Sequence, residues 1–509
     1  MSAWWRLLLC LAGVALATVV LQRVAMRVTP VYERLLSERG GMGGKPRHPL
    51  GDAMAGCCGL VLAGLFLLLT GRPFTSALLA LSVIVFLLLI NYAKLLVLRE
   101  HLILADAWLL RQVFCYPHLY FPFLPVRAMG VVLAGVCACV AFLLYVEDSC
   151  LSPAPAGVLP LLWFITLSPA LALALLRLGK LSGFGDWLLR RCPVSHDAAE
   201  DARRCGPFAS AFLHPVLAGK MEKDPSLDFL HSHTKKPGQS RWPAAVEVVL
   251  AEADTARSDE QPHIVLVQAE SLCDPRTLLS PEQNVALGDF LPHLNALERA
   301  GQLMPTPESA FGAYTMRMEF SLLTGLPLPV LGPFAHNPYL RAARRPYWSL
   351  ARHLASQGYD AVCLHPYAKD FFRRDRVMPN LGFTDFVGEE DLSALERFGP
   401  YVSDQALGQW MLARLEQTPR PAFFFVITME AHGPWLPGRL TEEQIAALLP
   451  AKARPLLSMQ TQLYLCHLRN LDRMVGLLLA AKDRFSRPLR LLMYGDHAPS
   501  LHNPQEGPS

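Results

Sequence analysis

Five apolar stretches in the first third of the chain restrict its fold more than any other feature. Leu7–Gln22, Ala53–Gly71, Pro73–Ala93, Ala128–Val146 and Gly157–Leu176 carry no charged side chain. Each approaches or exceeds the ~17–20 apolar residues that cross the hydrocarbon core of a bilayer. Charges bound them sharply: Arg6 and Arg23, Asp52 and Arg72, Arg72 and Lys94, Arg127 and Glu147. A water-soluble core would need five such helices in succession with no polar face. Four further spans follow the first, and no small-residue cleavage site separates it from them, so it reads as an anchor and not as a secretory signal.

The chain is 52% hydrophobic and only 18% charged over 509 residues, and the apolar excess lies before residue 177. Residues 1–177 are therefore expected to be a transmembrane region of about five helices. The loops Arg23–Asp52 and Lys94–Arg127 are basic, which would place both in the cytoplasm. With five crossings, everything after Arg177 would then be cytoplasmic too. A sixth, poorer crossing or re-entrant segment between Ile103 and Pro125 would reverse this, and charge alone leaves both orientations open.

Residues 178–262 read as a connector. Leu178–Arg191 mixes Trp187, Leu188 and Leu189 with Lys180, Arg190 and Arg191, a composition suited to a short helix in the membrane interface. Of the 12 cysteines, Cys192 and Cys205 lie close enough in sequence to bridge in an oxidising compartment, although no metal-cluster spacing occurs. The net charge of +4, without a basic stripe, gives no case for nucleic acid as a partner.

From His263 the pattern changes. Strand-like runs recur at Ile264–Val267, Ala361–Leu364, Phe423–Thr428 and Leu489–Met493, with helical stretches such as Trp348–Gln357 and Met459–Ala481 between them. This alternation predicts one α/β domain with a mostly parallel central sheet over residues 263–509. In such sheets ligands bind beyond the carboxyl ends of the strands. Glu270, His365, Glu430, His432, Asp496 and His497 all fall there. Two carboxylates and an imidazole (Glu270, Asp496, His497) delivered by separate strands point to a metal site. Thr315 follows a glycine-containing turn and opens an apparent helix, where free N–H groups and the helix dipole favour an anion.

Glu270-Ser271 after the first strand, Thr315-x-x-x-Glu319-Phe320, and Tyr494-Gly-Asp-His497 resemble the lipoteichoic acid synthase branch of the alkaline phosphatase/sulfatase superfamily, which includes periplasmic phosphoglycerol and phosphoethanolamine transferases. The resemblance covers about residues 263–500, with several helices upstream as in those proteins. It implies that Glu270, Thr315, Asp496 and His497 bind one divalent metal, usually manganese. It implies that Thr315 is the nucleophile that takes the phosphoryl group from a lipid donor such as phosphatidylglycerol. His365, Arg374 and His432 then contact the phosphate or its glycerol, and Phe372 lies beside the bound group. It also implies an inner-membrane, multi-pass protein whose catalytic domain faces the periplasm, where the acceptor is a glycan. The chemistry agrees: three oxygen donors with one imidazole are a hard set that favours manganese or magnesium, with zinc also compatible. Arg374 offers a fork to phosphate oxygens, and His432 suits an acid or base role.

Three features set alternatives. Cys273-Asp-Pro-Arg-Thr277 approaches the Cys-x-Pro-x-Arg of true sulfatases but has Thr where Arg is needed, and it sits beside Glu270 instead of at the nucleophile position. The glycine-rich lead into the nucleophile is reduced to Gly312-Ala-Tyr314. The sequence stops twelve residues after His497, where relatives generally continue, so an exposed last strand and a catalytically inactive, shortened relative are the alternative to an active transferase. A phosphoethanolamine transferase or a phosphodiesterase would use the same site.

Overall fold

A computed structural model describes residues 3–28, 48–98, 101–103, 106, 115–120, 126–149, 162–163, 165–167, 182–192, 198–211, 213, 242–303, 310–311 and 315–501. The chain divides into two compact units, residues 1–225 and 226–509.

In the first unit, four helices among the described residues are long and apolar enough to cross a membrane: Trp5–Met26, Pro49–Thr70, Pro73–Tyr92 and Met129–Val146. Most of the expected fifth span, Gly157–Leu176, falls outside the described residues, as does most of Ile103–Pro125. The bounding charges have structural work at the helix ends. The Glu147 carboxylate accepts from the backbone N–H groups of Phe74 (2.7 Å) and Thr75 (2.8 Å), satisfying donors that the first turn of Pro73–Leu98 leaves open. Arg72 Nε donates to the Glu147 carbonyl at 2.5 Å. Gly71 closes helix Pro49–Thr70 with a left-handed φ of 68°, its N–H donating to the Leu67 carbonyl. Helix Ser182–Arg191 occupies the stretch expected at the interface; it exposes Phe184 and Trp187, stacked at 5.7 Å, and buries Leu188. Cys192 and Cys205 are unbridged thiols buried in one small cluster, with Cys192 Sγ 3.5 Å from His48 Nδ1.

The second unit is built on five parallel strands: β1 His263–Ala269, β2 Asp360–Leu364, β3 Asp385–Val387, β4 Ala422–Ile427 and β5 Leu489–Gly495. Their order is β3-β2-β4-β1-β5. The central strands are buried on both faces, which is why they read as unbroken apolar runs. Val265, Val267, Phe424 and Val426 point to the face covered by helices Asp404–Glu416 and Met459–Ala480. Ile264, Leu266 and Phe423 point the other way, toward Val246, Leu250, Leu350 and Leu354. Parallel pairing puts every carboxyl end on one edge, with β1 flanked by β4 and β5. The expected strands are present to within two residues. The start differs: helix Ala244–Thr255, read as linker, buries Val246, Val249, Leu250 and Ala253, and Glu252 pairs with Arg490 of β5 at 2.7 Å. Its polar flanks masked a short apolar face.

Candidate metal centre

Two of the sheet's strands, β1 and β5, end on the predicted cluster. After β1 the chain turns at Ser271, a non-glycine residue with φ 55°. That turn lets Ser271 N–H donate to Asp496 Oδ1 at 2.8 Å, and its hydroxyl to Glu270 Oε1 at 2.9 Å. The end of β5 comes so close that a Cβ on Gly495 would lie 2.0 Å from the Leu272 carbonyl oxygen. The glycine of Tyr-Gly-Asp-His is thus a packing requirement that brings Asp496 against the β1 turn. Asp496 Oδ1 also accepts from His497 N–H at 2.9 Å. His497 Nδ1 faces the Ala498 carbonyl at 3.2 Å, which leaves Nε2 toward the carboxylates, 3.4 Å from Glu270 Oε1 and 3.5 Å from Asp496 Oδ2.

One ligand atom from each of Glu270, Asp496 and His497 lies within 4.8 Å of the others. All three residues are buried, and Asp496 Oδ2 has no well-aligned hydrogen bond. Burial raises the Glu270 carboxyl above its usual range, against the pull of His497. Burial, then Glu270, push Asp496 up to about 6; His497 and a hydrogen bond from the Thr315 side chain pull it back. Burial works against a charged His497, but the two carboxylates outweigh it and raise its pKa. Two desolvated carboxylates with an unsatisfied oxygen and an inward-facing imidazole nitrogen fit a divalent cation.

Thr315 opens helix Thr315–Thr324, and its contact with Asp496 joins it to this group. Gly312–Tyr314, the shortened lead, lie outside the described residues. One turn along the helix, Glu319 is wholly buried and ties several segments together. Gln268 Nε2 donates to its Oε1 at 3.1 Å, Tyr339 donates to its Oε2, and Arg374 grips it through Nε (3.1 Å) and Nη2. The fork expected to face phosphate is therefore turned on Glu319. Arg374 Nη1 lies 3.3 Å from His365 Nε2, and its guanidinium sits 5.4 Å from the centre of the Phe372 ring. Burial and then Arg374 hold the His365 imidazole well below its usual pKa. Phe372 and Arg373 both adopt left-handed φ angles, 54° and 58°, a strained pair at the start of the Arg374 helix. His432 is half-buried, with Nδ1 2.6 Å from the Gly433 carbonyl. Burial lowers its pKa to about 4, and His497 and Asp496 both act on it electrostatically. Cys273 lies 3.4 Å from the Tyr464 hydroxyl, and burial pushes its thiol up to about 11, the reverse of an activated nucleophile.

The sulfatase family matches residues 262–509. Those residues form a sulfatase-family domain. It belongs to the alkaline phosphatase/sulfatase superfamily, which is metal-dependent. Along most of its length the chain is also similar to the capsular polysaccharide biosynthesis protein RkpI of Rhizobium meliloti (strain 1021): 28% identity over 455 residues, 87% of this chain and 76% of that protein. Among solved structures, the lipoteichoic acid synthase LtaP of Listeria monocytogenes aligns at 17% identity and a TM-score of 0.39, over 56% of this chain and 64% of that one. The phosphoglycerol transferase GacH of Streptococcus pyogenes aligns at 21% and 0.36, over 53% and 72%. The sulfatase-family domain thus follows an apolar helical unit in a membrane-anchored protein.

Motif spacing located the three buried residues that could hold a metal, but not the Ser271 turn or the Glu319 hub. Glu319 stands in the Thr-x-x-x-Glu motif, so its helical spacing from Thr315 was the available signal.

Proposed function

We propose that the chain is a membrane-anchored transferase that moves phosphoglycerol, or a similar phospholipid head group, onto a glycan outside the cytoplasm through a phospho-threonine at Thr315. The observation that carries this reading is the Thr315 hydroxyl set against Asp496 inside the Glu270–Asp496–His497 cluster. These four residues would hold one divalent cation, manganese by the hardness of the donors. Such a cation would lower the hydroxyl pKa and offset charge on the phosphate.

The residues divide the remaining work. Asp496 orients the Thr315 oxygen. That oxygen gives up its proton and bonds to phosphorus as the bond to the diglyceride oxygen breaks, and the proton goes to the departing oxygen, which leaves as the diglyceride alcohol. His432 is neutral at pH 7, and with Nδ1–H given to the Gly433 carbonyl its Nε2 keeps a lone pair. It is thereby suited to take the proton of an acceptor hydroxyl as that oxygen displaces Thr315 from phosphorus. The ionised Arg374 adds positive charge from behind Glu319. The similarity to a capsular polysaccharide biosynthesis protein supports a surface glycan as acceptor.

The test is incubation with phosphatidylglycerol labelled in its head group, followed by mass spectrometry of the Thr315 peptide. A glycerophosphate adduct on Thr315 is expected, absent in Thr315→Ala. No adduct and no transfer would overturn the reading; an adduct only with phosphatidylethanolamine would change the head group. A reporter active only outside the cytoplasm, fused after Ser240, should be active, and activity of a cytoplasm-only reporter there would reverse the topology.

A further inference from the structure

His432 sits on the turn that leaves β4, and that turn is held by a side chain the motifs do not include. Arg439 Nη1 donates to the carbonyls of His432 (2.7 Å) and Pro434 (3.0 Å), and Nη2 donates to the carbonyl of Glu430 (2.8 Å). Nε donates to His467 Nε2 at 2.9 Å. Because that nitrogen accepts, the His467 proton is on Nδ1, which donates to Glu430 Oε1 at 3.0 Å. Asn470 donates to the same oxygen at 3.0 Å, and the Asp404 N–H to Oε2 at 2.8 Å. The Glu430 side chain is thus fixed from behind, while Arg439 fixes the backbone on either side of His432.

A half-buried guanidinium ordinarily pairs with a carboxylate. Among the described residues Arg439 has no carboxylate within ion-pairing distance, and its donors go to three carbonyls and a neutral imidazole. The Tyr401 ring lies 5.4 Å beneath the guanidinium and meets His432 edge-on at 6.0 Å. Backbone carbonyls set the path of a turn, so a fork that gathers three of them sets the direction of the imidazole between them.

We propose that Arg439 is the positioning residue of His432: it clamps the carbonyls of Glu430, His432 and Pro434 and so aims Nε2 at the reacting groups without touching them. This rests on the role given to His432 above. Lysine would keep the charge but lose the planar fork.

The experiment compares Arg439→Lys, Arg439→Ala, His432→Ala and the Arg439→Ala/His432→Ala pair in the full, detergent-solubilised chain loaded with manganese. Hydrogen exchange of the peptide spanning residues 428–436 and carbethoxylation of His432 are read by mass spectrometry. Transfer from labelled phosphatidylglycerol is read as separate kcat and KM values. Arg439→Ala should speed exchange and carbethoxylation and lower kcat on the order of 10²-fold, the cost of a misplaced group, with KM little changed. Arg439→Lys should fall between and guard against a misfolded alanine variant. In the His432→Ala background, the further loss from Arg439→Ala should be small, because the group it positions is gone. Losses that multiply in the pair, or a turn that exchanges no faster in either Arg439 variant, would overturn the proposal. If the wild-type chain transfers nothing, the proposed function fails while the exchange and carbethoxylation results still decide the positioning role.

Discussion

The two units treat charge in opposite ways. Among the described residues of the helical unit, several charged side chains toward helix ends are paired locally. Glu147 caps the first turn of Pro73–Leu98, Arg23 pairs with Asp52 at 2.6 Å, and Lys94 with Asp106 at 2.6 Å. The helix interiors hold apolar and small residues, with hydroxyls such as Thr18 returned to their own backbone. In the sulfatase unit, ionisable side chains are carried into the interior: Glu270, Glu319, Arg374, Asp404, Glu430 and Asp496 are all buried near the carboxyl edge of the sheet. Among the described residues, Asp496 Oδ2 and both oxygens of Asp404 have no well-aligned hydrogen bond. Burying an incompletely satisfied charge costs several kcal/mol. The sulfatase unit, among the described residues, concentrates that cost where the proposed chemistry lies.

The sharpest way to break this comparison is at the nucleophile. Thr315→Ala removes one oxygen and little volume, so the sulfatase unit should stay folded by circular dichroism. Transfer should fall on the order of 10⁴–10⁶-fold, the scale of losing a covalent nucleophile. Thr315→Ser should retain part of the rate, since only the constraint on its rotamer is lost. Normal transfer by Thr315→Ala would place the nucleophile elsewhere. Asp496→Ala should reduce bound metal from about one equivalent to nearly none by elemental analysis. Manganese should raise the melting temperature of the wild-type protein and not of this variant. Equal metal content in the two proteins would remove the ligand assignment.

Glu319 tests whether interior charge is a liability held in balance. Glu319→Gln keeps the shape but leaves Arg374 buried without its counter-charge. Loss of one partner of a buried pair costs ~3–5 kcal/mol, read as a lower denaturant midpoint. A midpoint shift under about 1 kcal/mol would mean that Arg374 finds another anion, contrary to the geometry. Asp404 gives the pH arm. Burial raises its carboxyl to about 8, far above the ordinary 3.8. A folded-state pKa above the unfolded one means the folded protein binds more protons between those values, so stability falls as pH rises through that window. Asp404→Asn cannot titrate, so its melting temperature should gain on the wild type steadily from pH 5 to pH 8. A constant difference would show that Asp404 is ionised at pH 5 already.

Much of this was legible in the sequence because the same physics writes both. Strands buried on both faces cannot alternate, so β1 and β4 announced themselves as apolar runs, and the residues just past them and past the edge strand β5 marked the site edge. β3, only Asp385–Val387, is too short to show a period. Helix Ala244–Thr255 hid its apolar face between Pro243 and a polar turn. The Arg374 fork could be located but not aimed: sequence showed a cation near the site, while its choice of Glu319 over solvent or ligand is decided by three-dimensional packing. Arg439 left no signal, since three of its four acceptors are backbone carbonyls, which every residue supplies.

The smallest expected effect probes the helical unit, where close packing replaces charge. A Cβ at Gly59 would lie 2.3 Å from Thr18 Oγ1 and 3.3 Å from the Val14 carbonyl oxygen, so helices Ala3–Val28 and Pro49–Thr70 touch nearly backbone to backbone there. Small residues at such crossings are what let apolar helices associate where no hydrophobic force separates lipid from side chain. Gly59→Leu must push the helices apart or displace the Thr18 hydroxyl, which accords with an overpacking cost of ~1–3 kcal/mol. Gly56 is the internal control, because the nearest atoms to its added Cβ are at 3.7 Å, an ordinary contact. Unfolding in mixed micelles should therefore show a lower midpoint for Gly59→Leu and almost none for Gly56→Ala. Bound manganese should be the same in both, since the four proposed ligands all lie in the sulfatase unit. An equal effect of the two substitutions would mean that the crossing is looser than drawn. Metal lost from Gly59→Leu would show that the division of labour between the helical unit and the sulfatase unit does not hold.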